Sequence, residues 1–255
     1  MKRELAVALG LAARLLLLVR RSPSLFVPSL VIPLFILVST AGAFRGIENL
    51  PQLHGASYLA FTVPMAATLG AGFAGTTSGL AVARDLENGF FARLQASPAP
   101  RVSLAMAPFV AAMLRSLLTT TIVLMAGYIG GTGFAGVGPT AILYLLPLLF
   151  SGAAAFWATG VALRTRTIQS APIMQIAVFL SVFLSVAYTP REAQTGWLAG
   201  VADYNPMTFV LEAARGAELT GVRWDDLWPG LASLAGMLAV LGVWAFRGLG
   251  QLDRD

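Results

Sequence analysis

The chain has 255 residues, 57% of them hydrophobic and only 11% charged, with a formal net charge of +5 and a mean hydropathy of +0.76. Charged residues make up about 25% of an ordinary soluble domain, so this balance excludes one and places the chain in a bilayer. Cysteine is absent and His54 is the single histidine, which excludes disulfides and thiol nucleophiles and leaves little for a histidine-based metal or acid–base centre.

Lys2 and Arg3 precede an apolar run, as in a cleavable signal, but Arg14 interrupts the run, Arg20 and Arg21 close it, and no small-residue cleavage site follows. At about 100° per residue Arg3, Arg14 and Arg21 share one stripe. Residues 4–20 are therefore read as an interfacial helix with snorkelling arginines. The alternative is a short first transmembrane helix, against which Arg14 at mid-bilayer counts.

Six apolar runs follow, at residues 25–44, 57–83, 103–130, 139–163, 168–188 and 227–247. Each has about the 20 residues that a helix needs to cross ~30 Å of hydrocarbon. Pro28, Pro33, Pro64, Pro108, Pro147 and Pro172 stand inside them, each a candidate kink whose lost hydrogen bond neighbouring helices restore. On one side of these spans fall Lys2, Arg3, Arg14, Arg20 and Arg21, then Arg84, Arg93 and Arg101, then Arg164 and Arg166, then Arg247 and Arg254. The other side holds only Arg45, Arg191, Arg215 and Arg223. The positive-inside rule puts both termini in the cytoplasm.

In the second span, Gly72, Gly75 and Gly79 fall near one face. Such a stripe lets helices approach closely, and it is also a candidate lining for a conduit. Residues 84–101, "RDLENGFFARLQASPAPR", then form a cytoplasmic connection. The stretch 86–97 is expected to be a short helix stopped by the Pro98 and Pro100 pair. Phe90, Phe91 and Leu94 give it an apolar side, and Asp85, Glu87 and Arg93 a charged one, which suits contact with another protein; the alternative is a solvated loop.

Arg115 is the one charge deep in a span, about 16 Å of helix rise beyond Leu104. Ser116, Thr119, Thr120 and Thr121 extend a polar side of the same helix, so Arg115 faces protein or water. It either hydrogen-bonds a neighbouring helix or, with Thr119, Gly72 and Gly75, borders a substrate path. Residues 189–226 form the largest polar connection and lie outside, with Glu192, Asp203, Glu212, Glu218, Asp225 and Asp226 outnumbering its arginines. Within it "MTFVLEAARGAEL" is amphipathic, with Phe209, Ala213 and Ala217 near one face and Asn205-Pro206 as the start signal.

Two stretches carry a family resemblance. Glu87, Gly89, Leu94, Ser97, Pro98 and Arg101 stand as E-x-G-x-x-x-x-L-x-x-S-P-x-x-R. That pattern resembles the cytoplasmic signature of ABC-2 type transporter permeases, the group that includes daunorubicin-resistance-like exporters. Asn205, Pro206, Met207 and Thr208 are similar to the segment that precedes the last span in that family. The chain departs from the family at Ala107 and Pro108, where relatives often carry Gly-Lys, and at Ala92, where a second acid is common.

The resemblance implies one ABC-2 type transmembrane domain over residues 1–255. Its fold is an all-α integral membrane one: six transmembrane helices, an N-terminal interfacial helix, a cytoplasmic coupling helix between spans two and three, and a short extracytoplasmic helical segment before span six. It implies an export permease in a bacterial or archaeal-type inner membrane, moving a drug, lipid or lipid-linked glycan. Glu87 and Arg93 would make polar contacts with an ATPase subunit, Phe90, Phe91 and Leu94 would fill its groove, and Pro98 would set the exit angle, with Gly89, Ser97 and Arg101 completing the set. Asn205, Pro206, Thr208 and Glu212 would form an extracytoplasmic gate.

Two ATPase copies, a second permease, identical or related, and membrane lipids are the implied partners; nucleic acid is not. The residues agree with this division of labour: Lys2 is the only lysine, so no G-x-x-x-x-G-K-[ST] phosphate loop exists in the sequence. ATP and Mg²⁺ would be held by the partner, and no cofactor by this chain. Two rival classes are an intramembrane hydrolase, for which clustered catalytic groups are lacking, and an ion-driven transporter or channel, for which intramembrane acids or inverted repeats would be expected.

Overall fold

In the computed structural model, residues 10, 23–44, 57–89, 101–133 and 135–251 are described. Eight α-helices follow one another there: α1 Pro23–Ala43, α2 Tyr58–Glu87, α3 Arg101–Ile129, α4 Val137–Thr165, α5 Ala171–Phe183, α6 Gly196–Tyr204, α7 Pro206–Thr220 and α8 Trp224–Gln251. Short 3-10 turns at Ile168–Ser170 and Arg191–Ala193 complete the set, and no strand occurs among the described residues. The all-helical expectation holds. The interfacial helix expected at residues 4–20 lies outside the described residues, except for the helical, exposed Gly10.

Helix α2 is the centre of the bundle, buried at every residue from Ala60 to Ala83. Its composition explains why it can be: Gly72, Gly75 and Gly79 bring its backbone against α4. A Cβ on Gly72 would stand 2.7 Å from Phe150, one on Gly75 would stand 2.7 Å from Ala154 Cβ, and one on Gly79 would collide with Ala158. Without a hydrophobic driving force between helices in lipid, such close packing is what holds them together. Hydroxyls inside the bundle bond back to their own helix, as Thr76 does to the Phe73 carbonyl (3.0 Å) and Thr119 to that of Ser116 (3.0 Å).

Helix α8 closes the other side of α4. The Trp244 indole lies over Gly160, where no side chain could stand, and stacks on Trp157 at 6.0 Å between ring centroids. Arg164 covers the same indole at 3.5 Å and donates to the carbonyls of Gly160 (2.7 Å) and Trp244 (3.0 Å). The outer surface is apolar: Phe35 and Val38 on α1, Leu118 and Met125 on α3, Ile173 and Ile176 on α5, and Val240 on α8 are exposed. Water would penalise so continuous an apolar surface, and hydrocarbon does not.

By length and composition, four helices can cross a membrane: Tyr58–Glu87, Met106–Ile129, Val137–Thr165 and Trp224–Gly250. The first and fifth expected spans coincide with shorter apolar helices, Ser29–Ala43 and Ile168–Phe183. Pro64, Pro108 and Pro147 stand inside helices, whereas Pro172 occupies the first turn of α5, where its missing N–H is not needed and no kink is called for.

Candidate functional site

At its C-terminal end, α2 runs on into the stretch expected to form a separate loop helix. Leu86 and Glu87 belong to α2 itself, which ends with the Asn88 N–H donating to the Arg84 carbonyl and the Gly89 N–H to that of Leu86. Gly89 then takes φ +63, a left-handed conformation that glycine adopts without strain, and ends the helix. The Glu87 side chain, at an exposed position, reaches across to the start of α5: one oxygen accepts from the Thr167 hydroxyl (2.8 Å) and from the Ile168 backbone N–H (2.8 Å). Arg101 opens α3. Phe90, Phe91, Arg93, Leu94, Ser97 and Pro98 lie outside the described residues.

In the middle of the bundle, Arg115 is 4% exposed and reaches across to α2, donating to the Thr77 hydroxyl at 2.7 Å. Its Nε and Nη2 make no hydrogen bond. Thr119 is buried one turn on. The Gly72 and Gly75 faces are filled by α4 and α5, so Arg115, Thr119 and these glycines all sit in closed packing between helices rather than around one open channel.

The end of the bundle expected to face outward, called the outer end below, holds the densest polar structure. Helix α5 stops at Phe183, and the chain from Leu184 to Thr189 bends without regular structure. Every carbonyl this leaves open from Ser185 to Tyr188 is met by a side chain. Gln194 donates to Ser185 (3.1 Å), Arg215 to Val186 and to Ala187 (2.6 Å), and Tyr58 to Tyr188 (2.7 Å). Arg215 also donates to the Phe61 carbonyl at 3.0 Å and lies 3.6 Å over the Phe61 ring. Carbonyls left open at a broken helix end need such donors where the residues are buried, as Val186 and Ala187 are.

Asn205 begins α7 as anticipated: its side-chain oxygen accepts from the Met207 N–H (2.9 Å), and Pro206 takes the first turn. Its amide also donates to the Ser181 carbonyl (2.8 Å), and Thr208 donates to that of Ala202 (2.7 Å), so α7 is fastened to α5 and α6. Glu212 receives Arg191 through both oxygens, at 2.8 and 3.2 Å, and Arg191 also stands 3.5 Å from Asp203. Ala213 and Ala217 are buried, whereas Phe209 is half-buried beside a cavity of about 530 Å³ bordered by Arg191, Glu212, Arg215 and Pro229.

Burial raises the Glu212 carboxyl above its ordinary value, with Arg191 opposing. It raises Glu218 to about 8, with Arg215 opposing. Burial lowers the Arg215 guanidinium, with Tyr58, Glu212 and Glu218 opposing.

These ends and the helices between them fall within one region of similarity. Residues 8–219 match the ABC-2 type transporter family. The chain belongs to that family. The match to the ABC-2 family includes both residues 84–101 and the Asn205–Glu212 segment, and stops short of α8. A probable doxorubicin resistance ABC transporter permease protein, DrrC, from two strains of Mycobacterium tuberculosis is 28% identical over 178 residues. The alignment covers 69% of this chain and 62% of those relatives, so the chain spans about three fifths of the length of the proteins it matches.

Sequence reasoning missed the role of Arg215 and the contact of Glu87 with Thr167 and Ile168. The Arg215 signal was available: it lies four residues after Leu211 and seven after Thr208, on the stripe of α7 that is buried.

Proposed function

We propose that this ABC-2 chain is the membrane subunit of an ATP-driven exporter, carrying a hydrophobic or amphiphilic molecule and coupled to a separate ATPase subunit. The observation that carries the reading is the family match over residues 8–219, joined to a sequence with no lysine that could serve a phosphate loop. The name of the mycobacterial relatives supports a drug-like cargo, and the apolar outer surface suits one that enters from lipid.

In this reading α1 and α5 complete a set of six crossings in the inner membrane, with both termini cytoplasmic. Residues 84–101 face the cytoplasm, where Phe90, Phe91 and Leu94 seat in a groove of the ATPase and Arg93 makes a polar contact. Glu87, Gly89, Ser97, Pro98 and Arg101 form the frame of that segment. Two ATPase subunits bind ATP and Mg²⁺, and two permease subunits, identical or related, bound the route. Closure of the ATPase pair moves the two segments, and the bundle switches from inward or lateral access to outward access. Asn205, Pro206, Thr208 and Glu212 hold the outer end.

Co-expression with a candidate ABC ATPase subunit, followed by purification in lipid, tests this. The wild-type chain retains the ATPase, and the triple variant Phe90→Ala, Arg93→Ala, Leu94→Ala loses it. Failure of any ATPase to associate with the wild type, together with proton- or sodium-dependent flux, would replace this reading with an ion-driven transporter.

A further inference from the structure

Helix α5 is fastened by polar side chains at both ends, and each fastening comes from a distant part of the chain. At the outer end Arg215 holds the carbonyls of Val186 and Ala187. At the inner end the holder is Glu87. Thr167 starts the 3-10 turn that runs into α5, and its own hydroxyl accepts the Gln169 N–H at 3.3 Å, which leaves the Ile168 N–H without a local acceptor. Glu87 takes that N–H and the Thr167 hydroxyl together, at 2.8 Å each, from 80 residues away. A carboxylate at a helix N-terminus satisfies an orphan donor and meets the positive end of the dipole.

The position of Glu87 along the chain gives this contact a mechanical meaning. It is the last residue of α2, two residues before the left-handed Gly89, and so stands at the root of the segment that leads to Arg101. We propose that Glu87 is a positioning residue that ties the root of residues 88–100 to the N-terminus of α5. Displacement of that segment is thereby carried along α5 to the Arg215 cluster at the outer end. The proposal rests on the ATP-driven reading for what moves the segment, while the tie itself does not. It assigns the Glu87 carboxylate to this chain rather than to the ATPase surface.

Amide hydrogen exchange on the full chain in lipid nanodiscs tests the tie without any partner. Glu87→Ala should speed exchange at residues 168–171 by roughly 3- to 10-fold, the range expected for losing a helix cap. Glu87→Gln keeps an acceptor oxygen and should stay within about 2-fold of wild type. Peptides of α8 serve as the folding control and should not change. Unaltered exchange at 168–171 in Glu87→Ala, with α8 intact, overturns the tie.

The transmission is tested in the complex. With wild type, ATP plus vanadate should change exchange across 168–188. With Glu87→Ala the ATPase should still co-purify, yet that change should be lost, and Glu87→Gln should restore it. Loss of the ATPase in Glu87→Ala, or a vanadate response equal to wild type, overturns the proposal. If no ATPase binds even the wild type, the exporter reading fails, and the partner-free exchange decides the tie.

Discussion

Two arginines are buried among the described residues, and their surroundings differ in a way that separates structural necessity from tolerance. Arg215, at the outer end, donates to three backbone carbonyls and covers an aromatic ring. Arg115, in the middle of the bundle, has one hydroxyl partner and leaves two of its nitrogens without a hydrogen bond. A buried charge is stabilising only where its donors are used, and removing a fully used partner leaves acceptors stranded in a medium that cannot solvate them. Arg215 therefore builds the outer end, whereas Arg115 is a charge that the bundle accommodates.

The largest effect that would sharpen this contrast is expected at Arg215. Arg215→Met strands the carbonyls of Val186 and Ala187, which lie outside any helix, and each buried orphan costs about 1–3 kcal/mol. The variant should lose several kcal/mol of thermal stability in lipid or fail to give monodisperse protein. Arg215→Lys, with a compact ammonium in place of the fork, should fall between it and wild type.

Next comes Gly79→Val, which drives a side chain into the Ala158 backbone and should lower stability by about 1–3 kcal/mol, read from the same melting curve. It sets the scale of a pure packing defect in the middle of the bundle.

A pH dependence is expected at the outer end. Glu218 has an ordinary value of 4.5 and is raised to about 8, so between these values the folded chain holds a proton that the unfolded chain releases. Stability contributed by this group is complete below about pH 4.5 and is lost as pH rises through 8. Melting temperature should fall across that window, and Glu218→Gln should flatten the slope. A wild-type profile that rises with pH would contradict the assignment. Smallest of all is Arg115→Met, which should leave stability unchanged or raise it by about 1 kcal/mol, since an underused buried charge is replaced by apolar volume. If it destabilises as much as Arg215→Met, the contrast between the two regions is wrong.

Much of the architecture was legible because apolar runs in a bilayer have one solution. The runs expected at 57–83, 103–130 and 139–163 lie on α2, α3 and α4, and that at 227–247 on α8. The ends were less legible, for identifiable reasons. The charges of Arg84, Asp85 and Glu87 mark where hydrocarbon ends, not where a helix ends, and α2 runs on until Asn88 and Gly89 break it. The run at 168–188 is apolar to its end, yet α5 stops at Phe183, because donors from Gln194, Arg215 and Tyr58 make an open backbone as well satisfied as a helical one. Arg215 and Tyr58 come from elements far along the chain, and no local pattern announces them. Asn205-Pro206 was legible as a helix start because capping is local, while its second bond to Ser181 was not.

The proposed exporter would have two functional ends on opposite sides of the membrane: a cytoplasmic segment that meets the ATPase and an outer end fastened around Arg215. Because the chain has no cysteine, single replacements report sidedness cleanly. The measurement is labelling of Ser97→Cys and Thr195→Cys by a membrane-impermeant maleimide in right-side-out and inside-out vesicles. The account predicts that Ser97→Cys reacts only in inside-out vesicles and Thr195→Cys only in right-side-out ones. Labelling of both from the same side, or in the reverse pattern, would contradict it.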